Sequence, residues 1–446
     1  MAILDQRYID LMAELKRKGV VIKTGGMIQP LDKYRLPTGS LSLDIDLQGG
    51  FPTVGVLQIK GVPSAGKTFL LLSHIAALAR LAKKLNIIIP VLWCAFEEFD
   101  VAWARNFFHI PYTEKELVEF EQLYGSDYVK QVLDTPTYIR FDLHQPDGGG
   151  EGLEAIYRLL KENVYWVIGI DSIGALKPEV MLDEENTLEQ KSQKIASRAQ
   201  LLEHFVGKVV SAYNQISNQR IHLFNDRYRW DYEMCTNTQD CPWCKDAAKR
   251  TKKKKNDSTW EGTHSVEFLA PKCGIVAINQ VRAQFGGNRN KKMGPPPPDA
   301  ASGYALAHIK RLDLRLTPGG PLQADISGNR KITYGKVVKY RIEKSKVSGV
   351  VQDTSGEYNF FIRSYKNYNA GTVDRISEVT HLAATNGLIE KSGSWIRING
   401  QKFQGETKVV EFLSNEPEVV DSLAEEIRQL HDIAPFNPYP VQLGAK

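Results

Sequence analysis

No apolar run in these 446 residues approaches the roughly twenty needed to cross a bilayer. The most apolar stretch, Asn86 to Cys94, is only strand length. The opening segment, MAILDQRYIDLMAELKRKG, mixes acids and bases along an amphipathic helical pattern. It lacks an apolar core followed by a cleavage site, so no secretion signal is expected and the protein is expected in the cytoplasm. Cysteine is scarce, at five residues. Cys94 stands alone, while Cys235, Cys241, Cys244 and Cys273 fall in one segment. In a reducing compartment that grouping favours a metal over disulfides. A charge excess is also missing. With 57 basic and 52 acidic residues the net charge of +5 is too small to argue for nucleic acid by itself. Basic residues are concentrated locally, at Lys249 to Lys255 (KRTKKKK) and Asn288 to Lys292 (NRNKK). No internal repeat is present.

What is there is a soluble, globular composition on a chain too long for one ordinary core, so two or three domains are expected. Residues 1–34 read as a helix and linker. From 35 to 366, short β-branched runs alternate with helical patterns. The runs are Val54 to Lys60, Ile87 to Cys94, Trp166 to Asp171 and Gly274 to Gln280. The helical patterns are Phe69 to Leu85 and Leu188 to Val210. This alternation predicts an α/β fold with a mainly parallel sheet flanked by helices. A polar stretch from about Asp226 to Pro271 has no apolar periodicity and reads as an insertion in a surface loop, spanning 226–273 with its cysteines. Glycines and prolines forbid regular structure from Ala283 to Ser302. Residues 367–446 read as a small α/β C-terminal domain ending in a helix over Glu416 to His431.

Residues Gly61 to Thr68 read GVPSAGKT, an ungapped match to G-x-x-x-x-G-K-[ST]. A β-run precedes it and a helical pattern follows, which is the context this phosphate-binding motif requires. Its glycines let backbone N–H groups approach phosphate oxygens at a helix N-terminus. The expected nucleotide contacts are Gly61, Pro63, Ser64, Ala65, Gly66, Lys67, Thr68 and Phe69. Lys67 would reach the β- and γ-phosphates, and Thr68 would hold Mg²⁺. The strand YWVIGIDS ends in Asp171, an acid placed to share that Mg²⁺. A hydrolase also needs a carboxylate to activate water. Glu97 and Glu98 follow the strand VLWCA, and either could face the γ-phosphate, with Glu97 preferred. The bland readings are a turn aspartate and a solvated acidic turn.

These residues resemble the RecA family. LPTGSLSLDIDLQGG (Leu36 to Gly50) with GVPSAGKT looks like the entry to its P-loop ATPase core. IGIDSIGAL (Ile168 to Leu176) looks like its acidic strand, and AINQVR (Ala277 to Arg282) like the strand leading into its DNA loop. RLDLR and EKSK fit later core strands. NGLIEKSGSWIRINGQKFQGETKVVEFL (Asn386 to Leu413) resembles the family's C-terminal domain, which helicases with the same core lack.

The resemblance implies a DNA-dependent ATPase using ATP and Mg²⁺. It would polymerise as a helical filament on single-stranded DNA, with ATP between protomers, and pair that strand with a homologous double-stranded DNA for strand exchange. It would touch no membrane. Asp100 and Trp103 fall where the family contacts adenine. Gln280 matches the glutamine that senses the γ-phosphate. Lys344 and Lys346 match the lysine pair that reaches the neighbour's ATP. Arg282, Arg289, Lys291, Lys292, Gly303 and, more loosely, Arg198 fall on the family's DNA loops, although any single basic residue is equally a solvated charge. Two departures stand out: Phe96 occupies the ungapped position of the family's catalytic acid, and four consecutive prolines, Pro295 to Pro298, rewrite the second DNA loop. They suit a divergent, perhaps phage-encoded, member in a bacterial or phage-infected cell. A RecA-core motor, or an ATP-gated DNA-coating protein, is the alternative.

The spacing C-x₅-C-x₂-C with a later Cys273 suits a structural zinc held by four thiolates, with His264 an alternative fourth ligand. A zinc would explain how so polar a segment folds. A redox pair at Cys241 and Cys244, or free thiols, are the competing readings.

Overall fold

The computed structural model describes residues 35–85, 87–178, 191–215, 220–226, 229–235, 266–269, 273–281, 310–327, 330–365 and 368–433, with Glu14 and Arg17. The expected helix over 1–34 otherwise lies outside the described residues. A short antiparallel pair, β1 (Arg35–Leu36) and β2 (Phe51–Pro52), brackets α1 (Leu41–Asp46). Then come β3 (Gly55–Gly61), α2 (Lys67–Leu85), β4 (Ile89–Ala95) and α3 (Val101–Ala104). Helices α4 (Glu114–Tyr124) and α5 (Ser126–Leu133) precede β5 (Ile139–His144), α6 (Gly149–Glu162), β6 (Val167–Asp171) and α7 (Lys191–Gln215).

Strands β7 (Arg220–Asp226), β8 (Arg229–Cys235) and β9 (Val266–Leu269) form a small antiparallel sheet in the order β8-β7-β9. The expected surface-loop insertion over 226–273 thus carries paired strands among its described residues, and residues 236–265 lie outside them. Ile221, Phe224, Trp230 and Tyr232 give these strands the β-branched and aromatic content that suits a pleated surface.

The main sheet is completed by β10 (Gly274–Gln280), β11 (Lys310–Ser327), β12 (Arg330–Ser345) and β13 (Ser355–Phe361). Its eight strands run β13-β12-β11-β3-β10-β6-β4-β5. From β11 to β5 every pairing is parallel, and β12 and β13 add antiparallel strands at one edge. The fold is therefore the mainly parallel α/β core that the alternating pattern predicted. Side chains alternate between two faces, as strands require. On β4, Val91, Trp93 and Ala95 join one buried cluster with α2, while Leu92 and Cys94 join a second with α6 and α7.

Residues 374–433 carry α8 (Arg375–Thr385), a three-stranded sheet of β14 (Glu390–Ser392), β15 (Trp395–Ile398) and β16 (Gln401–Gln404), then α9 (Glu406–Asn415) and α10 (Pro417–Leu430). They have a core of their own, to which α1 lends Leu41. Two polar contacts join this unit to α1. Glu378 accepts from Ser40 Oγ at 2.6 Å and from the N–H groups of Leu41 at 2.8 Å and Ser42 at 3.0 Å, satisfying the helix N-terminus. Arg428 Nη2 donates to buried Asp44 at 2.7 Å. No helix among the described residues is long and apolar enough to cross a membrane.

Candidate nucleotide site

The strand order β3-β10-β6-β4 sets four carboxyl ends side by side. In register, Gln280 lies beside Gly61, and Ala95 beside Asp171. Ligand sites of open parallel sheets form at this edge. Here it collects the phosphate loop, the acid of β6 and the acids after β4.

The loop has the backbone its sequence predicts. Gly66 has φ +92°, and a Cβ there would meet Val338 at 3.2 Å. Gly61 is required for a different reason, because a Cβ there would lie 2.5 Å from the Leu316 carbonyl oxygen. Lys67 turns back on the loop, donating to the carbonyls of Gly61 at 3.2 Å and Val62 at 2.9 Å. Burial lowers its pKa, and nearby Asp171 and Glu97 work against that. Thr68 Oγ1 donates to Asp171 Oδ2 at 2.9 Å. Burial pushes Asp171 up to about 6, with the Glu97 charge adding to the rise. A buried carboxylate short of compensating charge, paired with a hydroxyl beside a lysine-bearing loop, fits a magnesium nucleotide. Pro63 and Ser64 are exposed at the loop tip, and Ala65 is buried. Phe69 is buried and stacks on Phe360 at 3.5 Å between ring centroids, so its side chain belongs to the core and only its backbone is left for a phosphate.

The two candidate acids separate cleanly. Phe96, at the ungapped position of the family's acid, packs against the α6–α7 cluster, where its ring would collide with any Cβ on Gly152. Glu97 then falls on the phosphate-loop side. It accepts from Ser172 Oγ in a short hydrogen bond and from Gln280 Nε2 at 3.2 Å. The Phe96 N–H donates to the Asp171 carbonyl at 2.7 Å, fixing the turn that swings Glu97 inward. Glu98 is exposed. Ser172 is a member that sequence reasoning missed, although it directly follows the acid of β6. Lys336 is another: it donates to the Ser64 carbonyl at 2.5 Å, and nothing in its sequence neighbourhood marks it.

Asp100 caps α3 by accepting from the Trp103 N–H at 2.9 Å. The half-buried Trp103 ring meets Phe107 edge-on at 5.1 Å, and Phe107 meets Phe69 at 5.1 Å. One ring thus separates Trp103 from the start of α2. Lys344 and Lys346 are not brought to this site. Lys344 pairs with Asp313, which pairs with Gln58, three residues behind Gly61. That is roughly 10 Å back along the sheet, and two strands across. The Lys346 N–H donates to the Arg311 carbonyl, farther back still.

Arg198 is half-buried on α7. Arg282, Arg289, Lys291, Lys292 and Gly303 lie outside the described residues. So do Cys241, Cys244 and His264, and the side chain of Cys235. Cys273 is corrected. It is fully buried in the second cluster, its N–H donates to Asn163 Oδ1 at 2.9 Å, and burial pushes its thiol pKa far up. An apolar surround that disfavours the thiolate does not fit a zinc ligand. Among the described residues no group of three His, Cys, Asp or Glu could hold a metal ion.

Residues 377–432 match the family profile for the RecA C-terminal domain. The chain is 25% identical to Protein RecA of Haemophilus ducreyi, over 94% of this chain and 84% of that one. It is 25% identical to Protein RecA of Syntrophobacter fumaroxidans, over 98% and 96% respectively. It is 24% identical to Protein RecA 1 of Myxococcus xanthus, over 96% and 93%.

Proposed function

The chain is a divergent member of the RecA family, and from that premise we propose that it is an ATP-driven DNA recombinase, assembling on single-stranded DNA and exchanging strands with a homologous duplex. One observation carries the reading: the hydrogen bond from Gln280 to Glu97. Gln280 ends the strand that runs into the basic, glycine-rich segment 282–302. Glu97 stands at the nucleotide edge of the sheet. A change at either end is thereby transmitted to the other.

A bound magnesium nucleotide supplies the phosphoanhydride bond and the charge of the cation. The chain supplies the rest. The loop N–H groups and Lys67 bind phosphate oxygens, with Lys67 exchanging two loop carbonyls for them. Thr68 and Asp171 would hold the cation. Trp103 offers a planar face to the base. Glu97 orients a water and takes its proton at a carboxylate oxygen, held for that task by Ser172 and Gln280. Lys344 and Lys346, remote from their own loop, stabilise developing charge at a neighbour's nucleotide, so hydrolysis depends on assembly. Arg198, Arg282, Arg289, Lys291, Lys292 and Gly303 contact the DNA backbone.

A strand-exchange assay with homologous and heterologous duplexes tests the proposal. Joint molecules with the homologous duplex alone are expected, along with ATP hydrolysis that rises with single-stranded DNA. Unwinding or translocation regardless of homology would instead mark a motor.

A further inference from the structure

Lys336 lies on β12, the antiparallel strand that the phosphate loop packs against. Gly335 lets it come close. A Cβ at Gly335 would lie 2.4 Å from the Phe360 carbonyl oxygen, so only glycine lets β12 and β13 pair at this level, where Lys336 sits opposite Phe360. The Lys336 ammonium lies 5.1 Å from the centroid of the Phe360 ring and donates to the Ser64 carbonyl at 2.5 Å. Phe360 in turn stacks on Phe69, which directly follows Thr68. The side chain is thus held from below by aromatic packing and aimed at the tip of the loop.

The contact falls at a demanding point of the loop. Ser64 has φ +61°, a left-handed conformation that a residue with a Cβ adopts only when its surroundings hold it there. The C=O and N–H of one trans peptide point in opposite directions. Tying the Ser64 carbonyl outward to Lys336 therefore turns the Ala65 N–H toward the inside of the loop, where it donates to the Val62 carbonyl at 3.2 Å, a bond that a phosphate oxygen would replace. The ammonium also adds positive charge near the loop, close enough to disfavour the charged form of Lys67. Burial lowers the pKa of Lys336 as well.

We propose that Lys336 is a positioning residue of the nucleotide site, a second lysine from the same protomer that clamps the Ser64–Ala65 peptide in its phosphate-binding orientation. The inference rests on the phosphate-loop reading given above. It differs from the role of Lys344 and Lys346, which lie eight and ten residues further along the chain and serve a neighbouring protomer. Because the clamped peptide faces the phosphates common to both nucleotides, Lys336 supports Mg-ADP and Mg-ATP binding alike.

The test is equilibrium binding of fluorescent Mg-ADP and Mg-ATP to the full chain without DNA. K336M is expected to weaken both by about tenfold, the scale of one charge-assisted hydrogen bond. K336R is expected to restore most of that loss, and the nucleotide-free melting temperature of K336M to stay near that of the parent. K336Q serves if K336M fails to fold. Parental affinity in K336M would overturn the inference, as would a loss that tracks a fall in nucleotide-free melting temperature and is not restored by K336R. If the parent itself bound neither nucleotide, the phosphate-loop reading would fall. A parent that binds beside an indifferent K336M sinks the Lys336 clamp alone.

Discussion

Glu97 and Gln280, 183 positions apart in sequence, are joined by a hydrogen bond of 3.2 Å across the carboxyl edge of the sheet. The strand order makes this possible. β4 and β10 both flank β6, so the residues leaving their ends converge over Asp171 and Ser172.

Glu97→Gln is expected to slow ATP hydrolysis by about two to four orders of magnitude, the usual contribution of a positioned general base. The amide keeps the shape and can still bond Ser172, so nucleotide binding persists. Glu98→Gln is expected to hydrolyse at a near-parental rate, because both acids are exposed but it is Glu97 that Ser172 and Gln280 hold at the nucleotide edge. Single-turnover hydrolysis with saturating single-stranded DNA checks both. Equal loss in the two variants would remove Glu97 from its role.

Asp171 sets a pH dependence. Its pKa is raised to about 6 against an ordinary 3.8, so the folded protein holds that proton more tightly than the unfolded chain. The contribution of this group to stability is therefore fully present at acid pH and is lost as pH rises through that window. Cation binding needs the carboxylate. Mg-nucleotide affinity is expected to be flat above about pH 6 and to fall by up to about tenfold per pH unit below it. Asp171→Asn is expected to bind weakly at every pH without that inflection. A titration of affinity against pH on both proteins is the check, and a shared profile would point to another group.

Much of this edge was legible in the sequence, because each part is a short local pattern. GVPSAGKT, the apolar run ending in Asp171 and the run ending in Gln280 each fix a strand end. The parallel sheet then brings the ends together. Other features depend on tertiary context. That Phe96 turns to the α6–α7 face and Glu97 to the loop follows from the strand's alternation, once Cys94 is known to pack with Leu92. Lys336 reads as one lysine among many until β12 is paired with β11 and β13. Cys273 looked like a fourth thiolate because spacing in sequence says nothing of burial. It directly precedes Gly274, the first residue of β10, and belongs to the core.

Arg428 is expected to hold the C-terminal unit on the core. Asp44 is 1% exposed and accepts from Arg428, from the Thr38 N–H at 2.7 Å and from Thr38 Oγ1 at 2.8 Å. Burial raises the pKa of Asp44, and Arg428 is the largest influence opposing that rise. Arg428→Ala leaves the carboxylate buried and short of charge, which costs about 3–5 kcal/mol in comparable settings. A clear fall in melting temperature is expected. The deficit narrows as pH is lowered, since a protonated Asp44 tolerates burial. A deficit independent of pH would assign the loss to packing of the arginine stem.

The separation of Lys344 from its own phosphate loop predicts complementation between two inactive proteins. Lys67→Ala removes the loop lysine but leaves Lys344 and Lys346 in place. The double variant Lys344→Ala, Lys346→Ala has the reverse defect. Each alone is expected to lack DNA-stimulated hydrolysis. Lys344 sits level with Gln58 on β3, roughly 10 Å short of Gly61 along the sheet, so it cannot act on its own nucleotide. In the proposed head-to-tail assembly, each site would take its loop from one subunit and its lysine pair from the next. Mixed in equal amounts on single-stranded DNA, the two proteins form one productive interface in four. Hydrolysis is therefore expected to recover to about a quarter of the parental rate. The rate should peak near equal mixing and fall toward either pure protein. Crosslinking on DNA establishes that the two variants share assemblies. Co-assembly without any recovered hydrolysis would confine the lysine pair to a structural role and leave the site complete within one protomer.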